Sequence, residues 1–486
     1  MLKKIAGDEE DVRDPTRLKT GQIGLFGLTA LAIGVVSPAL GLFALWGPME
    51  AAAGPISPLV FAGAALLALP TAISYAALNR EAPSAGAAST WLWRAVSGPA
   101  GYLVGLMMMT YFMLVVCTMP VLFSVFFRDL MEFLGVPDFG LVTLILAVPI
   151  VTLPVMWLAY RGAEVSTRAA VTLMSIESAV VIALSLTIVY VRAGVPGGLQ
   201  IAPLNPLSAT HGFIGYWTAM LLGILAYAGF DVVSTAAEEA NAPREQVPKA
   251  IMLTIAGVTV FWVLNTWAFT LGMPYEKVVE YSAQGLSAVT PLALEYWGRG
   301  RIFVILSAFT GIFAVYITAA LGTSRIMFAL ARHGLLPGAF AVLEGPRRVP
   351  TRALHAVFGV AVIADVTMLL VLRNGLAAFT WSSNSVVFFA CVTFAAVNIA
   401  NLVYFRRIAR HRFKLLTNGV APVLGAALTL YALYESFFVA LWNGGAASRS
   451  VVVFCVALFL LFVLNVALVA IKSPRRLQGE APIEAD

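Results

Sequence analysis

An all-α polytopic membrane protein with about twelve transmembrane helices is predicted by three features of the sequence. Apolar residues make up 60% and charged residues 12%, with a mean hydropathy of +0.89, a balance that no ordinary globular surface carries. Apolar runs of crossing length follow one another along nearly the whole chain. Two of these runs are interrupted at their middle by glycine, proline and polar residues.

A helix needs about 20 residues to cross the hydrocarbon layer. In order, the runs are 22–46, 55–78, 97–127, 141–160, 171–191, 212–238, 250–273, 301–331, 353–372, 376–405, 416–441 and 450–471. The longest polar connections lie near 192–211, 274–300 and 332–352, so no separate soluble domain fits between crossings. The stretch before Gly21 is charged and lacks a signal peptide's apolar core, so the first crossing is expected to serve as the insertion signal. Residues 1–20 and 473–486 are read as tails.

Lys and Arg are retained on the cytoplasmic side, and an even number of crossings places both tails on one face. With the tails inside, only Arg128, Arg192, Lys277, Arg299, Arg301, Arg373 and Arg449 fall outside, leaving 24 of the 31 basic residues inside. A multi-pass protein of the cell membrane with cytoplasmic termini is the expectation. That asymmetry accounts for the net charge of +6 without a nucleic-acid partner. The cluster Arg406, Arg407, Arg410, Arg412 and Lys414 reads as a topology signal, with contact to anionic lipid as the alternative.

Cys117, Cys391 and Cys455 each lie inside an apolar run and are expected to be three reduced thiols. His211, His333, His355 and His411 sit at or near crossing ends without metal-ligand spacing, so no metal site and no cofactor are expected.

The first interruption is Gly34-Val35-Val36-Ser37-Pro38-Ala39-Leu40-Gly41. A break at bilayer depth is tolerated only where the freed backbone groups face protein, water or a solute. Ser37 is a favoured cap and Pro38 a favoured first helical residue, so a second half-helix is expected to start there. Its N–H groups from Ala39 to Gly41 would offer a carboxylate the positive end of a helix dipole. Carbonyls left by a first half ending near Gly34 suit an ammonium group, and a simple proline kink is the other reading.

The second interruption, Leu225-Ala226-Tyr227-Ala228-Gly229-Phe230-Asp231, falls midway along the sixth run. Gly229 can end a helix in the left-handed region, and Asp231 can cap the next half. The two breaks correspond if crossings one to five are repeated, inverted, as six to ten, and paired interruptions of this kind point to a secondary transporter's site.

The run from Ala226 to Asp231, followed by Ser234-Thr235-Ala236-Ala237-Glu238-Glu239, Asn241, Pro243-Arg244 and Pro248-Lys249-Ala250-Ile251, resembles the sixth-helix signature of the amino acid, polyamine and organocation (APC) superfamily. It resembles that superfamily's cationic amino acid transporter-like permeases. Gly322-Thr323-Ser324-Arg325-Ile326-Met327-Phe328-Ala329-Leu330-Ala331-Arg332, with Gly334-Leu335-Leu336-Pro337, resembles the end of their eighth helix. The resemblance covers about residues 20–472. It implies a five-plus-five inverted repeat (21–192 and 193–405) with broken helices one and six, and two additional helices over 406–472. It also implies alternating access, crossings one, two, six and seven rocking against a scaffold.

Two departures bear on chemistry. The family's first-helix pattern is Gly-x-Gly-Ile-Phe-like, and Pro38 here removes one donor. In the fifth crossing the family often places a lysine, which in proton-coupled relatives occupies the place of a sodium ion; this chain has Glu177 at that position. An intramembrane carboxylate is expensive and marks function by default. Glu177 is read as carrying a coupled proton, holding a cation, pairing with a substrate's second amine, or as a protonated acid bonded to a neighbouring helix.

Asp231 is read as a structural cap or gate element and Asp365 as a structural polar contact in crossing nine. Glu238 and Glu239 would latch an inward gate by pairing with Arg80, Arg325 or Arg332. The expected substrate-binding set is Val36, Ser37, Ala39, Leu40, Gly41, Tyr111, Ala226, Tyr227, Gly229, Phe230, Tyr316 and Ser382, with Glu177, Asp231 and Glu239 for coupling and gating. Trp381, Ser383 and Asn384 flank Ser382. A channel's repeated filter loop and an enzyme's clustered nucleophile motif are both lacking. The expected function is therefore secondary transport of an amino acid or related amine, with H+ as coupling ion. Organic cation or polyamine transport, amino acid exchange and a transporter-derived sensor are the alternatives.

Overall fold

With no water to satisfy backbone N–H and C=O groups inside the hydrocarbon layer, each apolar run closes its own hydrogen bonds by coiling. The computed structural model describes residues 20–284, 287–345, 348–443 and 445–478. Most of the two predicted tails therefore lies outside the described residues. Among those described, eleven helices are long and apolar enough to cross a membrane. The remaining predicted crossing, the sixth in order, is too fragmented to count as one such helix.

The first crossing is α1 (Leu25–Val36) and α2 (Pro38–Ala53), joined through Ser37 alone. Then come α3 (Ser57–Glu81), a short helix α4 (Ala88–Ala95), α5 (Gly98–Phe133), α6 (Leu141–Ala159) and α7 (Ala163–Ala193). The sixth crossing is α8 (Gly212–Ala226), a non-helical stretch, and α9 (Val232–Thr235). It leads to α10 (Pro243–Gly272), followed by α11 (Tyr275–Ala283) and α12 (Val289–Trp297) in the connection that the sequence left as polar loop. The chain continues through α13 (Arg301–Arg332), α14 (Thr351–Leu372) and α15 (Gly375–Arg407). The eleventh crossing, Leu415–Val439, wraps α16 (Ala421–Leu433) between two π-helical turns, and α17 (Ala446–Lys472) is the twelfth.

Several helices outrun their apolar cores. α7 begins at Ala163 rather than 171 and α10 at Pro243 rather than 250. Hydropathy sees only the apolar band, whereas polar turns such as Ser166-Thr167-Arg168 continue the same helix beyond it.

Without a hydrophobic drive between helices in lipid, close approach depends on small residues. A Cβ added at Gly223 of α8 would overlap Ala64 of α3, and one at Gly105 of α5 would lie 2.8 Å from Leu330 of α13. The two breaks also meet: a Cβ at Gly229 would overlap Val35. Gly229 has φ +114°, a conformation costly for any residue with a side chain. Buried residues gather in α2, α3, α5 and α13. Ile363 of α14 and Leu461 of α17 are exposed, as a lipid-facing surface requires.

Candidate functional site at the two helix breaks

α1 runs through Gly34 to Val36, and the single residue Ser37, at φ +43° and ψ +94°, turns the chain into α2. Pro38 takes the first helical position as its fixed φ predicts, but Ser37 does not cap α2 with its side chain. Its hydroxyl instead donates to both oxygens of Glu177 on α7, at 3.1 and 3.2 Å. The backbone N–H of Ala39 faces that carboxylate. Glu177 is completely buried. The carboxylate at the start of α2 thus belongs to the chain itself.

The donors expected to be free are engaged in part. Gly41 N–H bonds Ser37 C=O at 3.0 Å within the helix, and Ala39 N–H faces Glu177. Gly41 instead clears space for Trp262 of α10: a Cβ there would come within 2.6 Å of the indole. That indole N–H donates to Pro38 C=O at 2.7 Å, satisfying one carbonyl freed by the break. Tyr227 meets Trp262 edge-on at 4.9 Å and donates its hydroxyl to Phe61 C=O.

Gly311 of α13 completes the Glu177 niche. A Cβ there would overlap Glu177 Oε2 and lie 3.1 Å from both Ser37 Oγ and the Leu40 side chain. Leu40 also lines a cavity of about 440 Å³ at the end of the bundle opposite the termini, with Phe43, Phe126, Asp129, Ser287 and Arg301. The niche and the cavity therefore share a wall.

At the second break α8 stops at Ala226, and Asp231 precedes α9. Asp231 was expected to cap α9, but its side chain makes no cap bond. The fully buried carboxylate accepts the hydroxyls of Tyr111 (3.1 Å, α5) and Tyr75 (3.4 Å, α3). Phe230 stacks on Phe394 at 5.6 Å and meets Tyr75 edge-on at 5.5 Å, so this tyrosine on the acid is packed into an aromatic cluster. Among the predicted residues, Val36, Ser37, Ala39, Leu40 and Glu177 gather at the first break. Tyr111, Ala226, Gly229, Phe230 and Asp231 gather at the second.

Tyr316 and Ser382 are directed elsewhere. The Tyr316 hydroxyl lies 3.1 Å from Thr152 Oγ1, with its ring against Phe358, towards crossings four and nine. Ser382 Oγ lies 2.7 Å from Thr118 Oγ1, between crossings three and ten. Asp365 was read as a polar contact, yet it is fully buried and neither carboxylate oxygen has a hydrogen-bond partner among the described residues.

The question of which arginines meet the two glutamates is settled at the end of the bundle that carries the termini. Arg325 donates to Glu239 at 2.5 Å and Arg332 pairs with Glu238 at 3.0 Å, all four side chains nearly buried. Ala85 N–H adds a bond to Glu238. Gln22 and Ile23 donate their N–H groups to Glu239 C=O, lacing the start of the first crossing to the end of the sixth. This end is closed.

Sequence reasoning missed Tyr75, Trp262, Gly311 and Glu50. Glu50, at the end of α2, accepts from Trp46, Ser57 and Thr270 at 2.7, 2.6 and 2.5 Å. Extending the first crossing to the Gly54-Pro55 stop would have revealed it as a buried acid. Cys117, Cys391 and Cys455 are buried free thiols.

The fold has counterparts among solved structures. A solved manganese transporter of Eremococcus coleocola superposes with a TM-score of 0.54 over 93% of this chain and 94% of its own, at 14% identity, a likeness of fold alone. In sequence, the chain is 28% identical to the branched-chain amino acid permease BcaP of Bacillus subtilis, covering 75% of this chain and 80% of BcaP. It is 26% identical to that organism's methylthioribose transporter (85% and 88% covered) and 25% identical to the low-affinity putrescine importer PlaP of Escherichia coli K12 (68% and 72%). The amino acid permease family matches residues 23–464, from the start of the first crossing into the twelfth. With its broken first and sixth crossings and its sixth-helix signature inside that match, the chain belongs to the amino acid permease family of the APC superfamily.

Proposed function

We propose that this permease moves amino acids across the cell membrane by alternating access, as a proton-coupled symporter with cytoplasmic termini. The observation that carries the reading is the pair of abutting helix breaks, each holding one fully buried carboxylate, Glu177 at the first and Asp231 at the second. A broken crossing offers backbone donors and acceptors at bilayer depth, and a buried acid there is a natural proton carrier. The substrate-contacting residues proposed are Val36, Ser37, Ala39, Leu40, Tyr111, Ala226, Gly229 and Phe230.

Repeats 21–192 and 193–405 supply one break each. The described arrangement has the Glu239–Arg325 and Glu238–Arg332 pairs engaged at one end and the cavity at the other, which fits an outward-facing state. Return requires the two ion pairs to part.

The runner-up is a carrier of polyamines or other organic cations. It is favoured by a specific observation: both breaks present acids, and the start of α2, expected to receive a carboxylate, already has Glu177 bonded to Ser37 beside it.

Purified protein in liposomes decides between them. Uptake of labelled neutral, cationic and acidic amino acids and putrescine is measured with and without an inward proton gradient. Amino acid accumulation that collapses with the gradient supports the symporter. Putrescine uptake alone supports the cation carrier, and silence across the panel from folded protein rejects both.

A further inference from the structure

Three observations converge on one side chain. Ser37, the residue that breaks the first crossing, spends its hydroxyl on Glu177 rather than on its own half-helix. Ala39 N–H, at the start of the 16-residue α2, faces the same carboxylate. Opposite, α13 has a glycine at 311 where any side chain would strike Glu177 Oε2. Donors and space are both shaped around this carboxylate.

We propose that Glu177 is the resident anion of the first helix break, and that a substrate carboxylate gains the Ser37 and Ala39 donors only by displacing a Glu177 that has taken up a proton. This rests on the reading of the protein as an amino acid transporter and gives its coupling step. One proton joins the Glu177 carboxylate as its bond from Ser37 Oγ–H breaks, and the substrate carboxylate accepts from the Ser37 hydroxyl and the Ala39 N–H in its place. No net charge is then added to the niche. Two ionised carboxylates on the same donors would repel one another in a buried, low-dielectric setting, which is the physical reason the proton must accompany the substrate. A substrate without a carboxylate has no such requirement.

Among the described residues no basic side chain and no second acid bears on Glu177. From the first crossing it meets Ser37 and faces Ala39, and from α13 it meets Gly311. Asp231 lies in the separate Tyr75 and Tyr111 cluster, Glu50 is held by Trp46, Ser57 and Thr270, and Asp365 is in crossing nine. Asp231→Asn serves as the control for any second pH-sensitive step.

The experiment uses the full chain in nanodiscs. Binding of labelled leucine and of its decarboxylated analogue isopentylamine is measured from pH 5 to 8.5, and proton uptake on leucine addition is followed in weakly buffered solution. For the unmodified protein, leucine binding is expected to weaken about tenfold per pH unit at the alkaline end, with close to one proton taken up per leucine. In Glu177→Gln, leucine binding persists, the slope is lost and no proton is taken up. Isopentylamine binding should lack the alkaline weakening in both proteins.

Leucine binding that is flat with pH and proton-free in the unmodified protein would overturn the exchange while leaving amino acid transport intact. A slope and proton uptake that survive in Glu177→Gln but vanish in Asp231→Asn would move the coupling proton to the sixth crossing and also overturn it. Binding of isopentylamine without leucine at any pH would overturn the exchange together with the amino acid reading beneath it.

Discussion

Glu177 and Gly311 are a matched pair: an acid on α7 and the absence of a side chain on α13. Adding one methyl at 311 forces the carboxylate away from Ser37, so Gly311→Ala is expected to lower uptake at least about tenfold while the protein still elutes as a folded species. Gly257→Ala, on the exposed face of α10 with open space around its Cα, is the control and should leave uptake unchanged, since alanine suits a helix better than glycine by roughly 1 kcal/mol. Equal loss in both variants would show that the effect is general helix perturbation. Glu177 stands out in the sequence because carboxylates inside apolar runs are rare. Gly311 does not, since it is one of 40 glycines and its role depends on a residue 134 positions earlier.

The elements that close the termini-bearing end are joined by ion pairs buried among α13, the end of the sixth crossing and the Ala85 turn. Removing one member of such a pair leaves an uncompensated buried charge, at a cost of roughly 3–5 kcal/mol. Arg325→Met is therefore expected to open this end, seen as faster modification of a cysteine placed at Ser234, a buried residue bonded to Asn79. Arg325→Met with Glu239→Gln should recover part of the closure, because neither charge remains. His333, one residue past α13, adds a pH effect. Burial and the neighbouring Arg332 charge push it down to about 4, with Glu238 opposing, so the folded protein favours neutral imidazole. The stability this contributes is present above the ordinary histidine range near 6.5 and is lost as pH falls towards 4. Melting temperature should accordingly drop on acidification across that window, and the drop should be smaller in His333→Gln.

For the molecule as a whole, alternating access predicts opposite responses at the two ends. The three native cysteines are buried, so single reporters are readable against a low background. Ser287→Cys at the cavity should label readily in the described arrangement and Ser234→Cys poorly. A substrate-driven turnover should slow the first and speed the second. Both rising or falling together would argue against rocking between two closed ends.

Class, the number of crossings and the two breaks followed from local sequence, because the length and polarity demands of lipid act residue by residue along the chain. The helix-start chemistry of Pro38 and the conformational freedom of Gly229 are likewise local, and both appear where they were expected. Partners across the bundle were a different matter. Which arginine meets Glu239, why Ser37 turns from its own helix to Glu177, and why Tyr316 and Ser382 face into the scaffold depend on rotations of packed helices that no spacing along one chain encodes. Sequence alone located the carboxylates at the two breaks; only the packing of α7, α13 and the broken first crossing decided what they hold.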